Sequence, residues 1–250
     1  MQKNLLQKVL DVSGEMPFHE RLRVGLCLTW VGGFLEVYTF LLHGGVFANA
    51  QTGNLLLLAI ETSRGNPHAV YYLLPIGAFF AGVFISEWIR NRQTAQQSIV
   101  WQHTILLVEA AVFLVIALLP KGTDDAVVIV AVAFVCAMQF NTFRKAHGLA
   151  YASTFCTGNL RSAVENLFYG VFRHHPERAK TAGRYFSVIG AFLCGTMTGY
   201  WFVTFWGQLS ILLCAAVVVV LFVAMKWRCK KRKCCAEQSR QQAGEGAQKS

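Results

Sequence analysis

Glu36 is the residue of this sequence whose chemistry differs most from that of its neighbours. It is the only acidic or basic side chain in the apolar run 24–42. A carboxyl at membrane depth is costly and by default indicates a function, such as carrying a proton. Glu109, near the centre of the apolar run 101–119, is a second carboxyl at membrane depth and a candidate for the same role. We therefore predict Glu36, and with it Glu109, as coupling residues.

The tetrapeptide Thr-Gly-Asn-Leu occurs twice, each time within an apolar stretch. Its two Asn residues, Asn54 and Asn159, are 105 positions apart (159 − 54). Glycine permits a break in a helix, and Thr or Asn can cap the half-helix that follows. The positive end of that half-helix would face an anionic or polar solute. Close packing of small residues between membrane helices is the structural alternative, and the repetition favours the functional one.

The predicted solute-binding set extends beyond Asn54 and Asn159. Eighteen positions before Asn54 stands Glu36 (54 − 36), and the same place in the second copy holds Asn141 (159 − 18), with Gln139 nearby. The full predicted set consists of the residues of both motifs and of this pair of positions: Glu36, Gln51, Thr52, Gly53, Asn54, Gln139, Asn141, Thr157, Gly158 and Asn159.

A second recurring segment shows that the whole membrane unit is duplicated. Ile76-Gly77-Ala78-Phe79 returns as Ile189-Gly190-Ala191-Phe192, and a Trp follows each copy. This offset is 113 (189 − 76), so the second unit has gained eight residues (113 − 105) between its motifs. Two motifs in the same order indicate a duplication.

The composition places both units in a membrane. Hydrophobic residues make up 54% of the 250 residues and charged residues only 14%, whereas soluble domains carry about 25% charged residues. Net charge is +10, but the basic clusters flank apolar runs, which favours contact with lipid headgroups over binding of nucleic acid. Six apolar runs are long enough to span a bilayer: 24–42, 70–89, 101–119, 126–143, 185–205 and 209–227.

The Thr-Gly-Asn stretches, 46–60 and 150–172, are shorter or more polar than these runs. If they do not cross, nearly all Lys and Arg fall on one side, which the positive-inside rule makes the cytoplasm, together with both termini. Eight crossings would destroy that segregation. The sequence therefore predicts an all-α polytopic membrane protein of about six transmembrane helices plus two re-entrant or broken helices. Three spans per unit make the repeat an inverted one.

This organisation divides the chain into four parts: a cytoplasmic segment 1–23, a first membrane repeat 24–119, a second membrane repeat 126–227, and a disordered basic tail 228–250. The tail cysteines Cys229, Cys234 and Cys235 lack the spacing of a metal site. The spans show no pairing of nucleophile and base, so we expect no enzyme activity, no cofactor and no metal.

The order of these residues resembles that of a known family. Glu36 followed by Val46 to Leu55, then Gln139-Phe140-Asn141 followed by Ser153 to Leu160, is similar to the YoaK-like family of bacterial membrane proteins, whose function is unknown. The similarity covers about residues 22–227. It implies a multi-pass protein of the bacterial inner membrane and supplies no substrate. The family commonly has Asp where this chain has Glu36.

Transport of a small solute is the leading functional hypothesis. The solute would bind where the two Thr-Gly-Asn segments meet, with Glu36 coupling its movement to protons. A passive channel is the nearest alternative, and a structural or partner-binding membrane protein is the next. Apart from lipid and the solute no partner is implied, no nucleic acid is expected, and a homo-oligomer stays open.

Overall fold

A computed structural model describes residues 21–92, 95–120, 122–143, 145–146, 149–150 and 156–227. Helices dominate these residues, together with a two-stranded antiparallel hairpin in which Lys145 pairs with Ala150. The helices in chain order are α1 (Leu22–Leu42), α2 (Gln51–Ser63), α3 (Leu73–Asn91), α4 (Ala95–Leu118), α5 (Asp125–Thr142), α6 (Cys156–Phe172), α7 (Pro176–Trp206) and α8 (211–227). A 3-10 helix, Pro67–Tyr72, precedes α3, and another, Gly207–Ser210, separates α7 from α8. The hairpin strands are β1 (Lys145–Ala146) and β2 (Leu149–Ala150).

The distribution of polar and apolar side chains is that of a membrane protein. Five helical stretches are long and apolar enough to span a bilayer, and the fifth, Pro176–Trp227, has 52 residues. A positive φ of 53° at Gly207 ends α7, so this stretch supplies two spans. Phe80, Leu118 and Phe205 are at least 70% exposed, whereas Glu36 and Glu109 are buried. Apolar surface outside and polar groups inside suit a lipid environment.

Two helix pairs, each of which joins a helix of the first repeat to a helix of the second, share a close glycine contact. Gly195 of α7 packs against the backbone of Trp30 on α1, and the rings of Phe34 and Phe202 lie 6.5 Å apart further along. In the pair of α3 with α5, a methyl group on Gly82 would lie 2.6 Å from the carbonyl oxygen of Phe134. Gly82 and Gly195 are separated by the offset of 113 (195 − 82) that relates the repeats. The helices of each pair run parallel, and the two pairs are equivalent.

The contacts of α4 and α8 fix the number of crossings. The side chain of Gln208, just before α8, donates to the carbonyl of Leu119 at the end of α4 (3.1 Å). His103, near the start of α4, lies 5.9 Å from the ring of Phe222 near the end of α8. These helices are therefore antiparallel, whereas eight alternating crossings would make them parallel. Six crossings, with α2 and α6 not spanning, satisfy all these contacts.

The bundle has two ends, which we call the His43 face and the Arg92 face. At the His43 face, His43 after α1 contacts Asp125 at the start of α5, and Tyr71 before α3 bonds to Asp124 (3.2 Å). The Arg92 face holds the opposite helix ends, including the start of α1 and the end of α3. Asp124 caps α5 by accepting a hydrogen bond from the N–H of Ala126.

The chain between α1 and α3 enters and leaves at the His43 face. Gly44 and Gly45 both have φ of 72°, which turns the backbone back towards the bundle. Asn49 then reaches Glu36, seven residues before His43 and so about 10 Å deep along α1. From this depth α2 returns towards Asn66, whose side chain caps the following 3-10 helix. The first Thr-Gly-Asn segment is thus re-entrant.

The second Thr-Gly-Asn segment ends at the opposite face. Helix α6 runs antiparallel to α7, with Gly170 against Ala179 near the Arg92 face and Ala163 against Tyr185 deeper in the bundle. The two half-helices therefore approach the interior from opposite faces, as the prediction of an inverted repeat required.

The predicted all-α, polytopic, inverted-repeat fold is confirmed. Three predicted spans differ in extent: α7 begins nine residues before the predicted 185 because its first turns are amphipathic, α4 begins at Ala95 instead of 101, and the span at 70–89 starts as a 3-10 helix. The four predicted parts of the chain stay predictions. Residues 1–20 and the tail 228–250, with its three cysteines, lie outside the described residues, as do Ser153, Thr154 and Phe155.

Candidate functional site

Glu36 lies at the tip of the first re-entrant segment. Its side chain is buried, and Oε1 accepts a hydrogen bond from the backbone N–H of Asn49 (3.2 Å). The backbone N–H groups of Ala48 and Ala50 also lie beside this carboxyl. Oε2 is buried and has no hydrogen-bond partner among the described residues. The carboxyl therefore has one oxygen held by the loop and one left without a partner.

Asn49 is the functional residue that the sequence reasoning missed. Its side chain is 0% exposed, and neither atom of the amide has an oxygen or nitrogen partner within the described part of the chain. Its polar neighbour is the thiol of Cys136 on α5. A buried amide without hydrogen bonds is costly, and such a group invites a ligand or water. The available signal was its place three residues before the motif, in an otherwise apolar stretch.

Asn54 fastens the re-entrant segment together. Its Oδ1 accepts from the N–H of Phe47 (2.9 Å), and its Nδ2 donates to the Phe47 carbonyl (2.8 Å) and to Oε1 of Gln51 (2.9 Å). Both amide hydrogens are thus used within the segment. A methyl group on Gly53 would lie 2.8 Å from the ring of Phe47, which itself stacks on Phe40. In this repeat, Gly53, Asn54 and Gln51 shape the loop that presents Asn49 to Glu36.

Glu109 forms a second buried carboxyl site with Gln139. The Gln139 amide, on α5, donates to Oε1 (2.9 Å) and Oε2 (3.0 Å) of Glu109 on α4. Cys136 lies one turn before Gln139 and interacts electrostatically with both Glu109 and Glu36. The two carboxyls are therefore neighbours of one thiol in the interior of the bundle.

The second repeat contributes its half-helix start to the same region. Cys156, the first residue of α6, interacts electrostatically with Glu36. Asn141 and Asn159 are both buried, at 3% and 4% exposure. Thr157 and Gly158 are exposed, as is Thr52 in the first repeat. The structure thus groups Glu36 with Gln51, Gly53 and Asn54, and Glu109 with Gln139, while the two Thr side chains lie on the surface.

The electrostatics of this interior are those of carboxyls without cations. No Lys or Arg is among the buried residues that the structure describes. An ionised carboxylate in such a place requires compensation by donors, by a bound cation, or by uptake of a proton. Glu36 has backbone donors and Glu109 has an amide, so each can exist in both protonation states. This arrangement can bind and release protons.

A cavity of about 550 Å³ lies at the His43 face. His43 is seven residues from Glu36 and so projects from a similar side of α1, two turns closer to the surface. Its Nδ1 lies 2.6 Å from Oδ1 of Asp125. The lining residues come from α1, α5 and the loops of this face: Leu42, His43, Tyr71, Pro120, Gly122, Thr123, Asp124, Asp125, Val128 and Gln208. The cavity lies over the α1–α5 side of the bundle that contains Glu36 and Cys136.

Comparison with known proteins identifies the family. The model of the family "Protein of unknown function (DUF1275)" matches residues 24–224, and the chain belongs to this family. The match is consistent with the resemblance to YoaK-like proteins and covers all the site residues above. No curated protein and no solved structure matches the chain at a significant level.

Proposed function

We propose that this member of the DUF1275 family transports a small polar solute across the membrane and couples that movement to protons through Glu36. One observation carries the proposal: at the tip of a re-entrant segment, Oε2 of Glu36 and both polar atoms of the Asn49 amide are buried without an oxygen or nitrogen partner among the described residues. A purely structural loop tip would satisfy these groups or replace them by apolar ones.

The inverted repeat supports transport because it supplies two equivalent arrangements. In transporters with this layout, the solute binds near the midplane beside discontinuous helices, and access alternates as one repeat moves against the other. Here α2 and α6 begin in the interior and end at opposite faces. The cavity at the His43 face is lined by Leu42 and His43, two turns from Glu36 along α1, and is our candidate for the entry of the solute.

Proton coupling follows from the carboxyl's surroundings. With no Lys or Arg among the described buried residues, Glu36 responds to access by water on one face and to occupancy of the site. Glu109, held by Gln139, is the second candidate for this step. A proton taken up on one side and released on the other would drive the solute against its gradient.

We place the protein in the bacterial inner membrane with both termini in the cytoplasm. Most of the described Lys and Arg residues gather at the Arg92 face, namely Arg21, Arg23, Arg90, Arg92, Lys145, Arg173, Arg178, Lys180, Arg184 and Lys226, while Arg161 lies within α6. At the His43 face the described basic residue of this kind is Arg64. The positive-inside rule then makes the Arg92 face cytoplasmic. Lipid and the solute are the partners this function requires.

The test uses the full chain in liposomes that enclose a pH-sensitive dye. Small anionic, neutral and cationic solutes are added outside, and the luminal pH and solute uptake are recorded. We expect wild type to move protons with at least one solute, and Glu36→Gln to lose the coupled movement, because glutamine cannot take up and release a proton.

Glu61→Gln is the matched control because Glu61 is a partly exposed carboxyl of the same repeat, at the end of α2 and outside the buried site. Its neighbour Asn66, and after it Arg64, lower the pKa of Glu61, so this side chain is ionised throughout the assay. We expect Glu61→Gln to behave as wild type. Equilibration of a solute without proton movement, unchanged by Glu36→Gln, would establish a passive channel instead, and no movement in any solute class would overturn the proposal.

A further inference from the structure

The groups that surround Glu36 at the loop tip are hydrogen-bond donors. The N–H of Asn49 donates to Oε1, and the N–H groups of Ala48 and Ala50 lie beside the carboxyl. These residues directly precede α2, a helix of 13 residues. A helix start carries a partial positive charge and free N–H groups, and together they bind anions. The anion at this helix start belongs to the protein itself.

Two further observations show that the place is built for more than Glu36. The Asn49 amide is fully buried, and its Nδ2 donates to no oxygen or nitrogen atom of the described residues. The start of α6, at Cys156, approaches Glu36 from the opposite face. Two half-helix starts and this amide offer more hydrogen-bond donors than the single carboxylate oxygen Oε1 of Glu36 can accept from.

We propose that the start of α2 forms an anion-binding site that the Glu36 carboxylate itself occupies, and that the transported solute is a small monovalent anion that takes the place of this carboxylate. This inference rests on the proposed transport function and names its substrate class. A cation is a poor fit because the N–H groups around the carboxyl present hydrogen atoms, not oxygen ligands, to the site.

The exchange balances in charge and in protons. A proton from water forms an O–H bond with the Glu36 carboxylate, which releases the N–H donor of Asn49. The solute anion then accepts hydrogen bonds from these donors and from the Asn49 amide. The site carries one negative charge before and after the exchange, which a water-poor interior favours over a change in net charge. Proton and anion are bound together and therefore move in the same direction.

The described groups that interact with Glu36 include no cationic side chain, and Arg161, five residues after Cys156 on α6, is exposed. On α5 the neighbour is the Cys136 thiol, on α6 it is Cys156, and Glu109 of α4 interacts with the same Cys136. Glu36 is the one carboxyl of the two that meets a helix start. Glu109 meets a side-chain amide instead and is therefore the natural comparison.

The test measures anion binding by the purified full chain in detergent, through the rise in unfolding temperature with ligand concentration. The probes are formate, nitrate and chloride, each titrated against gluconate at constant ionic strength and at several pH values. Since only the protonated form is competent, we expect the apparent affinity of wild type to fall about tenfold per pH unit once Glu36 is ionised. An affinity that is flat or rises with pH overturns the inference without any variant.

Three variants sharpen the assignment. Glu36→Gln cannot supply a negative charge, so its anion affinity should be independent of pH and at least equal to the highest wild-type value. Glu36→Asp keeps the carboxylate and should keep the pH dependence, which also covers the case in which Glu36→Gln does not fold. Glu109→Gln should keep it too, and loss of the pH dependence in Glu109→Gln but not in Glu36→Gln would refute the role given to Glu36.

The outcomes separate the two proposals. Anion binding with the expected pH dependence, but no transport in liposomes, would support the anion site and contradict the transport function. Proton-coupled transport of a neutral or cationic solute through Glu36, with no anion binding, would leave the transport function standing and overturn the anion site.

Discussion

The two re-entrant segments share the sequence Thr-Gly-Asn-Leu, yet the glycines of the two copies have different surroundings. Gly53 lies against the ring of Phe47, whereas no described atom lies within 4 Å of the place a methyl group would take on Gly158. The carboxyl of Glu36 faces the first segment, and the equivalent position in the second repeat holds Asn141. The ionisable chemistry therefore lies in one half of a duplicated scaffold.

The helix pairs show the opposite behaviour, since there the repeats have kept one geometry. Gly195 against Trp30 and Gly82 against Phe134 are equivalent backbone contacts between parallel helices. Close glycine contacts hold membrane helices together by van der Waals packing, without a hydrophobic contribution from the lipid. The two repeats thus share the packing, while the buried carboxyls Glu36 and Glu109 lie in the first repeat alone among the described residues.

The largest effect we predict tests this shared packing. Gly195→Ala and Gly82→Ala each place a methyl group into the backbone of the neighbouring helix, which cannot yield as a side chain can. We expect each to lower the free energy of unfolding by about 3 kcal/mol, the upper end for overpacking. Thermal unfolding in detergent, monitored by tryptophan fluorescence, measures it.

Gly190→Ala and Gly77→Ala are the matched controls, one in each repeat. Neither methyl group would meet an atom within 4 Å, so neither variant should lose stability, and each should gain up to about 1 kcal/mol because Ala has less backbone freedom to lose. A large loss in one repeat with none in the other would show that the two helix pairs are not equivalent.

Most of the fold could be predicted from the sequence, and less of the site. The six spans and the inverted repeat follow from apolar length, charge and the recurrence of Gly82 as Gly195, all of which are local signals. The part played by Asn54 could not be read because its partner is the backbone of Phe47, and any residue type has that backbone. Asn49 was missed because its value depends on a turn that brings it back to Glu36.

Asn54→Ala gives the next largest effect and tests what the motif does in the first repeat. It leaves the N–H and C=O of Phe47 without their partner, both partly buried. We expect a loss of about 2 kcal/mol in the free energy of unfolding, the cost of buried backbone groups left unpaired. Gln51→Ala removes one of the three hydrogen bonds of Asn54 and the bond from Gln51 Nε2 to the Ala48 carbonyl, but it leaves the Phe47 backbone paired and should therefore cost less. Equal losses in the free energy of unfolding of the two variants, measured by chemical unfolding, would contradict the role given to Asn54 as the partner of the Phe47 backbone.

The smallest effect we predict decides whether the two motifs differ as the structure shows. Gly53→Ala must displace the Phe47 ring from Phe40, with ring centroids 5.0 Å apart, and should destabilise by about 1 kcal/mol. Gly158→Ala meets open space in a helix and should stabilise by up to about 1 kcal/mol, since Ala has less backbone freedom to lose. Opposite signs in the shift of unfolding temperature, measured side by side, are the expected result. If both variants lowered the unfolding temperature, the second motif would pack as tightly as the first, and the repeats would differ in their carboxyls alone.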